Sequence, residues 1–208
     1  MKLYSFFRSS AAFRVRIALN LKKIANETVA VHLRRSDQSK PDYRGINPQG
    51  LVPTLEDGGH KLIQSLAIIE YLDEVHPQPP LLPDDPVERA KVRALAQLIA
   101  CDIHPLNNVA PLRFLKNEFG LDQGRIDAWY HHWILEGFTA LEGMLRGTPY
   151  AFGDEVTLVD VCLVPQVYNA RRLRVPLQRF PKIVAVDAAC GKLAAFDKAR
   201  PENQPDAE

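Results

Sequence analysis

No run of apolar residues in this 208-residue chain approaches the roughly 18 to 20 that a membrane-spanning helix requires. The chain also lacks an excess of either charge, because 26 basic residues face 25 acidic ones and leave a net charge of +1. This balance gives no reason to expect nucleic acid or an anionic membrane as a partner. The first residues do not follow the basic, apolar, small-residue order of a signal peptide, so we expect a cytoplasmic protein.

Cysteine is scarce as well. The three cysteines, Cys101, Cys162 and Cys190, are widely spaced and form no C-x-x-C pair. They predict neither a disulfide framework nor a redox or zinc site, and we expect no metal. We interpret all three as small apolar residues of the core. Hydrophobic residues make up 46% of the chain and charged residues 25%, which is ordinary for one large or two small globular domains.

A proline-rich stretch at residues 76–86 divides the chain. Proline has no backbone N–H and fits neither a helix interior nor a central strand, so the stretch predicts a stiff connection. We place a first domain at residues 1–80, a linker at 81–86 and a second domain at 87–208.

Strand and helix patterns alternate before the linker. The predicted strands are residues 2–6, 28–33, 52–56 and 60–63, and helices are predicted to begin near Ser10 and near Gln64-Ser65. Asp57-Gly58-Gly59 lies between the last two strands and is a strong hairpin signal. The order βαβ followed by ββα predicts a small α/β sandwich of the thioredoxin kind.

Only helical periodicity is visible after the linker. The pattern predicts a helix at 87–101, another through 126–145 and a last one at 183–198, which together predict a helical bundle. Thr157 and Asp160 have the spacing of a capping box ahead of an apolar run. The polar residues after 198 are predicted to be mobile.

The stretch from Phe6 to Leu19 combines a strand end, two serines and an amphipathic helix. Ser9 or Ser10 can cap the helix, while the remaining amides and the helix dipole present about half a positive charge. A thiolate, carboxylate or phosphate would be favoured there, and Arg8 adds a full charge directly before the turn. The alternative is an ordinary capped surface helix, since no glycine-rich phosphate loop is present.

Two further features of the first domain could bind a ligand. Gln64 and Ser65 begin a helix with an amide, a hydroxyl and free backbone donors, although simple capping is the alternative. Pro53 begins a strand, and a cis bond before it would turn the Val52 backbone outward. An extended peptide could then pair with Val52 as an added strand.

Five stretches of the chain match one known family. They are Phe7-Arg8-Ser9-Ser10 with residues 14–19, residues 47–55, residues 63–72, residues 101–108 and residues 153–166. Together they resemble the zeta class of cytosolic glutathione transferases, and more closely its bacterial maleylpyruvate and maleylacetoacetate isomerases. The resemblance implies the architecture of these transferases, with an α/β N-terminal thioredoxin-like domain and an all-α C-terminal helical bundle. It also implies a homodimer.

The resemblance implies that glutathione is the cofactor. The implied ligands are Ser9, Ser10, Gln49, Val52, Pro53, Gln64, Ser65, His104 and Asn108. Ser9 and Ser10 would place the glutathione sulfur at the helix start, and Val52 before a cis proline would pair with the cysteinyl backbone. Gln64 and Ser65 would bind the γ-glutamyl end.

The implied reaction is the cis-trans isomerisation of a maleyl keto acid by thiolate addition, bond rotation and elimination. Ser9, Ser10 and Arg8 would be its catalytic residues, and Arg8 and Arg172 would bind the carboxylates of a small dicarboxylate substrate. The class commonly has cysteine where this chain has Ala11. The reaction should survive that change because its nucleophile is the glutathione thiol.

The sequence leaves both the substrate and the class of function open. Maleylpyruvate, from gentisate catabolism, and maleylacetoacetate, from tyrosine catabolism, share a cis enedione and terminal carboxylates. The lack of cysteine favours maleylpyruvate, but Val109-Ala110 replaces further arginines of related maleylpyruvate isomerases. Two other functions are also consistent with the residues. The protein could be a detoxifying transferase that conjugates glutathione to electrophiles, or a noncatalytic module that binds glutathione or another protein. Arg8 and Arg172 favour the isomerase because a general transferase pocket is usually more apolar.

Overall fold

The computed structural model describes residues 1–147 and 149–208, which divide into two compact units. The first unit comprises residues 1–80 and 191–208, and the second comprises residues 81–190. The last segment therefore groups with the N-terminal unit, whereas the sequence pattern assigns it to the helical domain. The reason is a set of contacts with the first unit that are described below.

A four-stranded sheet forms the centre of the first unit. Its strands are β1 (Lys2–Ser5), β2 (Glu27–Ala30), β3 (Thr54–Asp57) and β4 (His60–Ile63), in the order β2-β1-β3-β4. β1 runs parallel to β2 and antiparallel to β3, which is antiparallel to β4. Parallel neighbours need a crossover connection, and a helix provides it between β1 and β2. The predicted thioredoxin-like α/β unit is confirmed.

The β3–β4 hairpin turns at the predicted glycines. Asp57 pairs with His60, and Gly58 and Gly59 between them have φ of +54° and +84°. Glycine adopts these angles without the steric cost that a side chain would bring.

The predicted strand at 28–33 is wrong at its end. β2 stops at Ala30, and His32 instead caps a short 3₁₀ helix at Leu33–Arg35. The Nδ1 atom of His32 accepts a hydrogen bond from the Arg35 backbone N–H at 3.2 Å. This local bond competes with continuation of the sheet.

Helices cover the sheet of the first unit. They are α1 (Ser10–Leu21), α2 (Pro41–Arg44), α3 (Ser65–Val75) and, after the second unit, α9 (Ala194–Ala199). α1 packs against both α3 and α9. The buried side chains of this core include Leu3, Phe13, Ile17, Leu55, Ile68, Leu72 and Phe196.

The second unit is a bundle of helices, as predicted. Its elements are α4 (Pro86–Gln97), a π-helical turn (Leu98–Ile103), a 3₁₀ turn (His104–Asn107), α5 (Val109–Glu118), α6 (Gln123–Met144), α7 (Leu158–Arg172) and α8 (Pro181–Cys190). The predicted helix at 87–101 is therefore α-helical only as far as Gln97. Among the described residues, no helix is both long and apolar enough to cross a membrane.

The predicted capping box begins α7. The Asp160 carboxylate accepts hydrogen bonds from the Thr157 N–H at 2.8 Å, the Thr157 hydroxyl at 3.0 Å and the Ala151 N–H at 2.8 Å. Asp160 is completely buried, so these three donors satisfy an acceptor that water cannot reach. The box ties the helix start to the loop before it.

Three sequence-based predictions fail after or within the bundle. The helix predicted at 183–198 is broken after Cys190, because α9 packs against α1 instead of extending α8. The residues after 198, predicted to be mobile, instead hydrogen-bond to the start of the same unit, through Asp206 to Phe7 and through Glu208 to Arg34. Cys162 and Cys190 are buried as predicted, but Cys101 is exposed.

Candidate functional site

Ser9 is the N-terminal cap of α1. Its Oγ atom accepts a hydrogen bond from the Ala12 N–H at 3.2 Å, and its own N–H donates to the Phe6 carbonyl at 2.9 Å. A hydroxyl that accepts one bond still carries its own hydrogen, so Ser9 can also donate to an anion. The helix dipole adds about half a positive charge at this end. Ser10, the other predicted cap, is the first helical residue and is buried.

Arg8 is the exposed residue directly before this cap. Its guanidinium carbon lies 5.2 Å from the centroid of the Phe7 ring, within the range of a cation-π contact. A guanidinium can also bind a carboxylate through two parallel hydrogen bonds. Two consecutive residues of the turn thus offer a full positive charge and a hydroxyl donor.

The peptide bond between Val52 and Pro53 is cis, as predicted. It lies directly before β3, so Val52 belongs to the loop and does not extend the strand. Two side chains hold this loop by its Leu51 carbonyl, which accepts from the Tyr43 hydroxyl at 2.7 Å and from Asn47 Nδ2 at 2.8 Å. The Val52 backbone is thereby fixed beside the start of β3, as pairing with an extended peptide requires.

Gln64 and Ser65 lie where the chain leaves β4 and begins α3. Gln64 has a positive φ of +69°. Its Nε2 atom donates to Oε1 of Gln49 at 2.9 Å, and both side chains are exposed. The structure thus brings together two predicted glutathione ligands from separate loops.

Arg14 connects the starts of two helices. Its Nη1 atom donates to Ser65 Oγ at 3.2 Å, and only 1% of Arg14 is exposed. Because the Ser65 oxygen accepts this bond, its hydroxyl hydrogen can be directed to a ligand. Arg14 lies one helical turn after Ser10, so a buried cation joins the first turns of α1 and α3.

His104 and Asn108 lie in one irregular connection of the second unit, between α4 and α5. His104 is half-buried and follows the π-helical turn, a type of bulge that often marks functional sites. Asn108 caps α5, and its Oδ1 atom accepts from the Val109 N–H at 2.8 Å. The connection therefore has one side chain that caps a helix and one imidazole.

Arg172 ends α7 and is exposed. It lies beside the hydroxyl of Tyr130, a residue of α6 that is only 2% exposed. Burial raises the pKa of Tyr130 to about 12, and the Arg172 guanidinium opposes that rise. Tyr130 thus remains neutral at pH 7. The neighbouring Arg171 has a different partner, because its Nη2 atom lies 2.8 Å from Asp187 Oδ2.

Sequence patterns alone do not identify several residues that position these groups. Tyr43 and Asn47 reach the Leu51 carbonyl across an irregular loop that has no periodic pattern, and Tyr130 acts on Arg172 from a different helix. Arg14 has one sequence signal, because it lies among the apolar residues of α1, where a buried charge requires a partner. That signal does not reveal Ser65 as the partner.

Comparisons with known proteins match the chain from end to end. The family models of the glutathione S-transferase N-terminal and C-terminal domains match residues 3–80 and 134–198. A maleylpyruvate isomerase from Ralstonia sp is 51% identical over 210 residues, which cover 99% of each protein.

Two solved structures are similar over the whole chain. The holo structure of a maleylpyruvate isomerase, described as a bacterial zeta-class glutathione S-transferase, has a TM-score of 0.98 at 50% identity and covers 100% of both chains. A maleylacetoacetate isomerase from Methylobacterium extorquens AM1, solved with malonate and glutathione, has a TM-score of 0.96 at 41% identity and also covers 100% of both.

Proposed function

We propose that this chain, which belongs to the zeta class of the glutathione S-transferase family, is a glutathione-dependent cis-trans isomerase of a maleyl keto acid. The observation that carries the proposal is similarity over the full length. Isomerases at 51% and 41% identity cover the chain from end to end. The geometry of Ser9, Val52, Gln64 and Ser65 supports the roles that the family implies for them.

We propose that the first unit binds glutathione at three places, namely the start of α1, the loop before β3 and the junction between β4 and α3. The proposed ligands there are Ser9, Ser10, Gln49, Val52, Pro53, Gln64 and Ser65. The donors fit the thiolate and the γ-glutamyl carboxylate, because the Ser9 and Ser65 oxygens each accept an internal bond and each hydroxyl can donate to the ligand. The Val52 backbone beside the cis bond suits an extended cysteinyl residue.

Bound glutathione supplies the thiolate that adds to the cis double bond of the substrate and leaves once that bond has rotated. Ser9 donates a hydrogen bond to the sulfur, and the dipole of α1 adds about half a positive charge there. Both effects lower the pKa of a thiol, so the reaction needs no nucleophile from the protein. Ala11, which stands where the class commonly has cysteine, takes no part.

Arg8 and Arg172 are the proposed ligands of the substrate carboxylates. Arg8 is exposed beside Ser9, and Arg172 lies beside the neutral Tyr130 hydroxyl. The relative from Methylobacterium extorquens was solved with malonate, a dicarboxylate, together with glutathione. His104 and Asn108 are the glutathione ligands that we propose for the second unit.

We also propose that the protein is a cytoplasmic homodimer that acts in the catabolism of gentisate or tyrosine. Maleylpyruvate belongs to the first route and maleylacetoacetate to the second. Similar proteins include isomerases named for each substrate. Both keto acids carry the cis enedione and terminal carboxylates that the proposed residues would recognise.

The test follows the loss of enedione absorbance with each keto acid, in the presence and absence of glutathione, and identifies the product. The isomerase predicts glutathione-dependent conversion to the fumaryl isomer, and the larger kcat/KM names the substrate. A stable glutathione adduct would identify a detoxifying transferase instead. Glutathione binding without turnover of either keto acid or of general electrophiles would identify a noncatalytic module.

A further inference from the structure

We propose that Asp206 is a positioning residue that holds the thiol-binding turn, residues 6–9, in place for Ser9. This inference rests on the proposed function, because it concerns the sulfur that Ser9 would contact. The segment at 200–208 would then contribute to catalysis without touching the substrate.

The thiol-binding turn is closed on one side by the Ser9 N–H, which donates to the Phe6 carbonyl at 2.9 Å. The Phe7 N–H donates instead to Asp206 Oδ2 at 3.0 Å. A backbone donor two residues before Ser9 is thus satisfied by a side chain that is 199 positions away in sequence. The orientation of the turn therefore depends on where Asp206 lies.

Arg16 holds the carbonyl groups of the same turn. Its Nη2 atom donates to the Phe7 carbonyl at 2.9 Å, and its Nε atom donates to the Ala199 carbonyl at 3.0 Å. Arg16 is only 5% exposed, and burial lowers its pKa to about 10, while the charge of Asp206 opposes that change. Arg16 is therefore protonated at pH 7 and joins the turn to the end of α9.

The segment that carries Asp206 is itself anchored on both sides of that residue. Gln204 Nε2 donates to the Lys198 carbonyl at 2.9 Å and to the Arg200 carbonyl at 2.8 Å. The Glu208 carboxylate accepts from His32 Nε2 and, at 2.9 Å, from Arg34 Nη1. Asp206 is thus placed by bonds that do not involve the turn, as a positioning residue requires.

The hydrogen bond and the charge of Asp206 have opposite effects on a bound thiol. The bond keeps Ser9 where it can donate to the sulfur, which favours the thiolate. A carboxylate near the same turn disfavours the thiolate by repulsion. Asp206→Asn removes the charge and keeps an oxygen that can accept from Phe7, whereas Asp206→Ala removes both.

The experiment titrates the thiol of glutathione bound to the full-length protein by its thiolate absorbance, and measures KM and kcat across pH. Asp206→Ala is expected to raise the apparent pKa of the bound thiol by about 1 and to lower kcat/KM at pH 7 about tenfold. Its kcat should recover at high pH, where the thiol ionises without help. Asp206→Asn is expected to stay within about twofold of the wild type, because it keeps the acceptor.

Asp197→Ala is the matched control, because Asp197 is an exposed carboxylate of the same C-terminal region that pairs with Arg200 at 3.4 Å. It should leave the thiol pKa and both kinetic constants unchanged. A thiol pKa in Asp206→Ala no higher than that in Asp206→Asn, which lacks the same charge, would overturn the positioning role, and so would a loss of kcat/KM in Asp206→Asn equal to that in Asp206→Ala. If the wild type binds glutathione but isomerises neither keto acid, the proposed function fails, while the thiol titration still decides the role of Asp206.

Discussion

Arg14 Nη1 and Ser65 Oγ lie 3.2 Å apart in the interior of the first unit, and the bond between them joins α1 to the first residue of α3. Only 1% of Arg14 and 6% of Ser65 are exposed. A buried serine that accepts from a cation is restricted in the direction in which its own hydrogen can point. This bond therefore orients a hydroxyl that we propose binds the γ-glutamyl end of glutathione.

Arg14→Met is expected to raise the KM for glutathione about tenfold and to change kcat much less, because the oriented donor contributes to cofactor binding. Ser65→Ala should have a similar effect. The double variant should lose less than the product of the two single effects, since both remove the same interaction. Arg125→Met, which removes an exposed charge on α6, is the control. Fully multiplicative effects would show that the two residues act independently.

Ser9→Ala is expected to lower kcat/KM about 10²-fold, because it removes the donor to the sulfur. It should also cost about 1 kcal/mol of unfolding free energy, because Ser9 caps α1. Asp122→Ala separates the two effects, since Asp122 Oδ1 caps α6 by accepting from the Arg125 N–H at 2.9 Å. Urea unfolding and steady-state turnover measure both variants. Equal losses of activity would mean that Ser9 acts only through helix stability.

Arg172→Gln is expected to raise the KM for the keto acid about tenfold or more, because it removes a charged partner of a carboxylate. The affinity for glutathione should be unchanged. Arg171→Gln is a closely matched control, because its charge is already paired with Asp187 at 2.8 Å. Initial rates at varied keto acid and saturating glutathione measure the difference. Identical KM values in the two variants would rule out a specific role for Arg172.

Thiol labelling of the folded protein is expected to modify Cys101 alone. Cys101 is exposed, whereas Cys162 and Cys190 are buried. Burial, reinforced by the nearby Asp160 carboxylate, raises the pKa of the Cys190 thiol well above its ordinary value, which suppresses the reactive thiolate. A slight molar excess of a maleimide and mass spectrometry give the number of labels. Cys101→Ser should abolish rapid labelling, and a fast second label would contradict the buried environment of the other two thiols.

Features that depend on neighbouring residues could be predicted from the sequence. The hairpin follows from two adjacent glycines with positive φ, and the start of α7 follows from the three-residue spacing of Thr157 and Asp160. The serine pair before α1 also predicts a cap, although only the structure identifies Ser9 as the residue that forms it. In each of these cases the interacting atoms lie within a few residues of one another.

Features that depend on distant contacts could not be predicted. The polar residues after 198 have the composition of a mobile tail. In the structure, however, Asp206 accepts a hydrogen bond from the Phe7 N–H, and Glu208 accepts from His32 and Arg34. The helix predicted at 183–198 breaks because α9 is packed on α1. No local pattern indicates that Arg14 bonds to Ser65, since 51 positions separate them.

The most direct test of the central claim counts isomerised molecules per glutathione. Maleylpyruvate and maleylacetoacetate are each incubated with the wild-type protein and with glutathione at about one tenth of the keto acid concentration, and the fumaryl product and free thiol are measured. The account predicts complete conversion of at least one keto acid, with all of the glutathione recovered. Conversion that stops when product equals the added glutathione, with the thiol consumed, would contradict it.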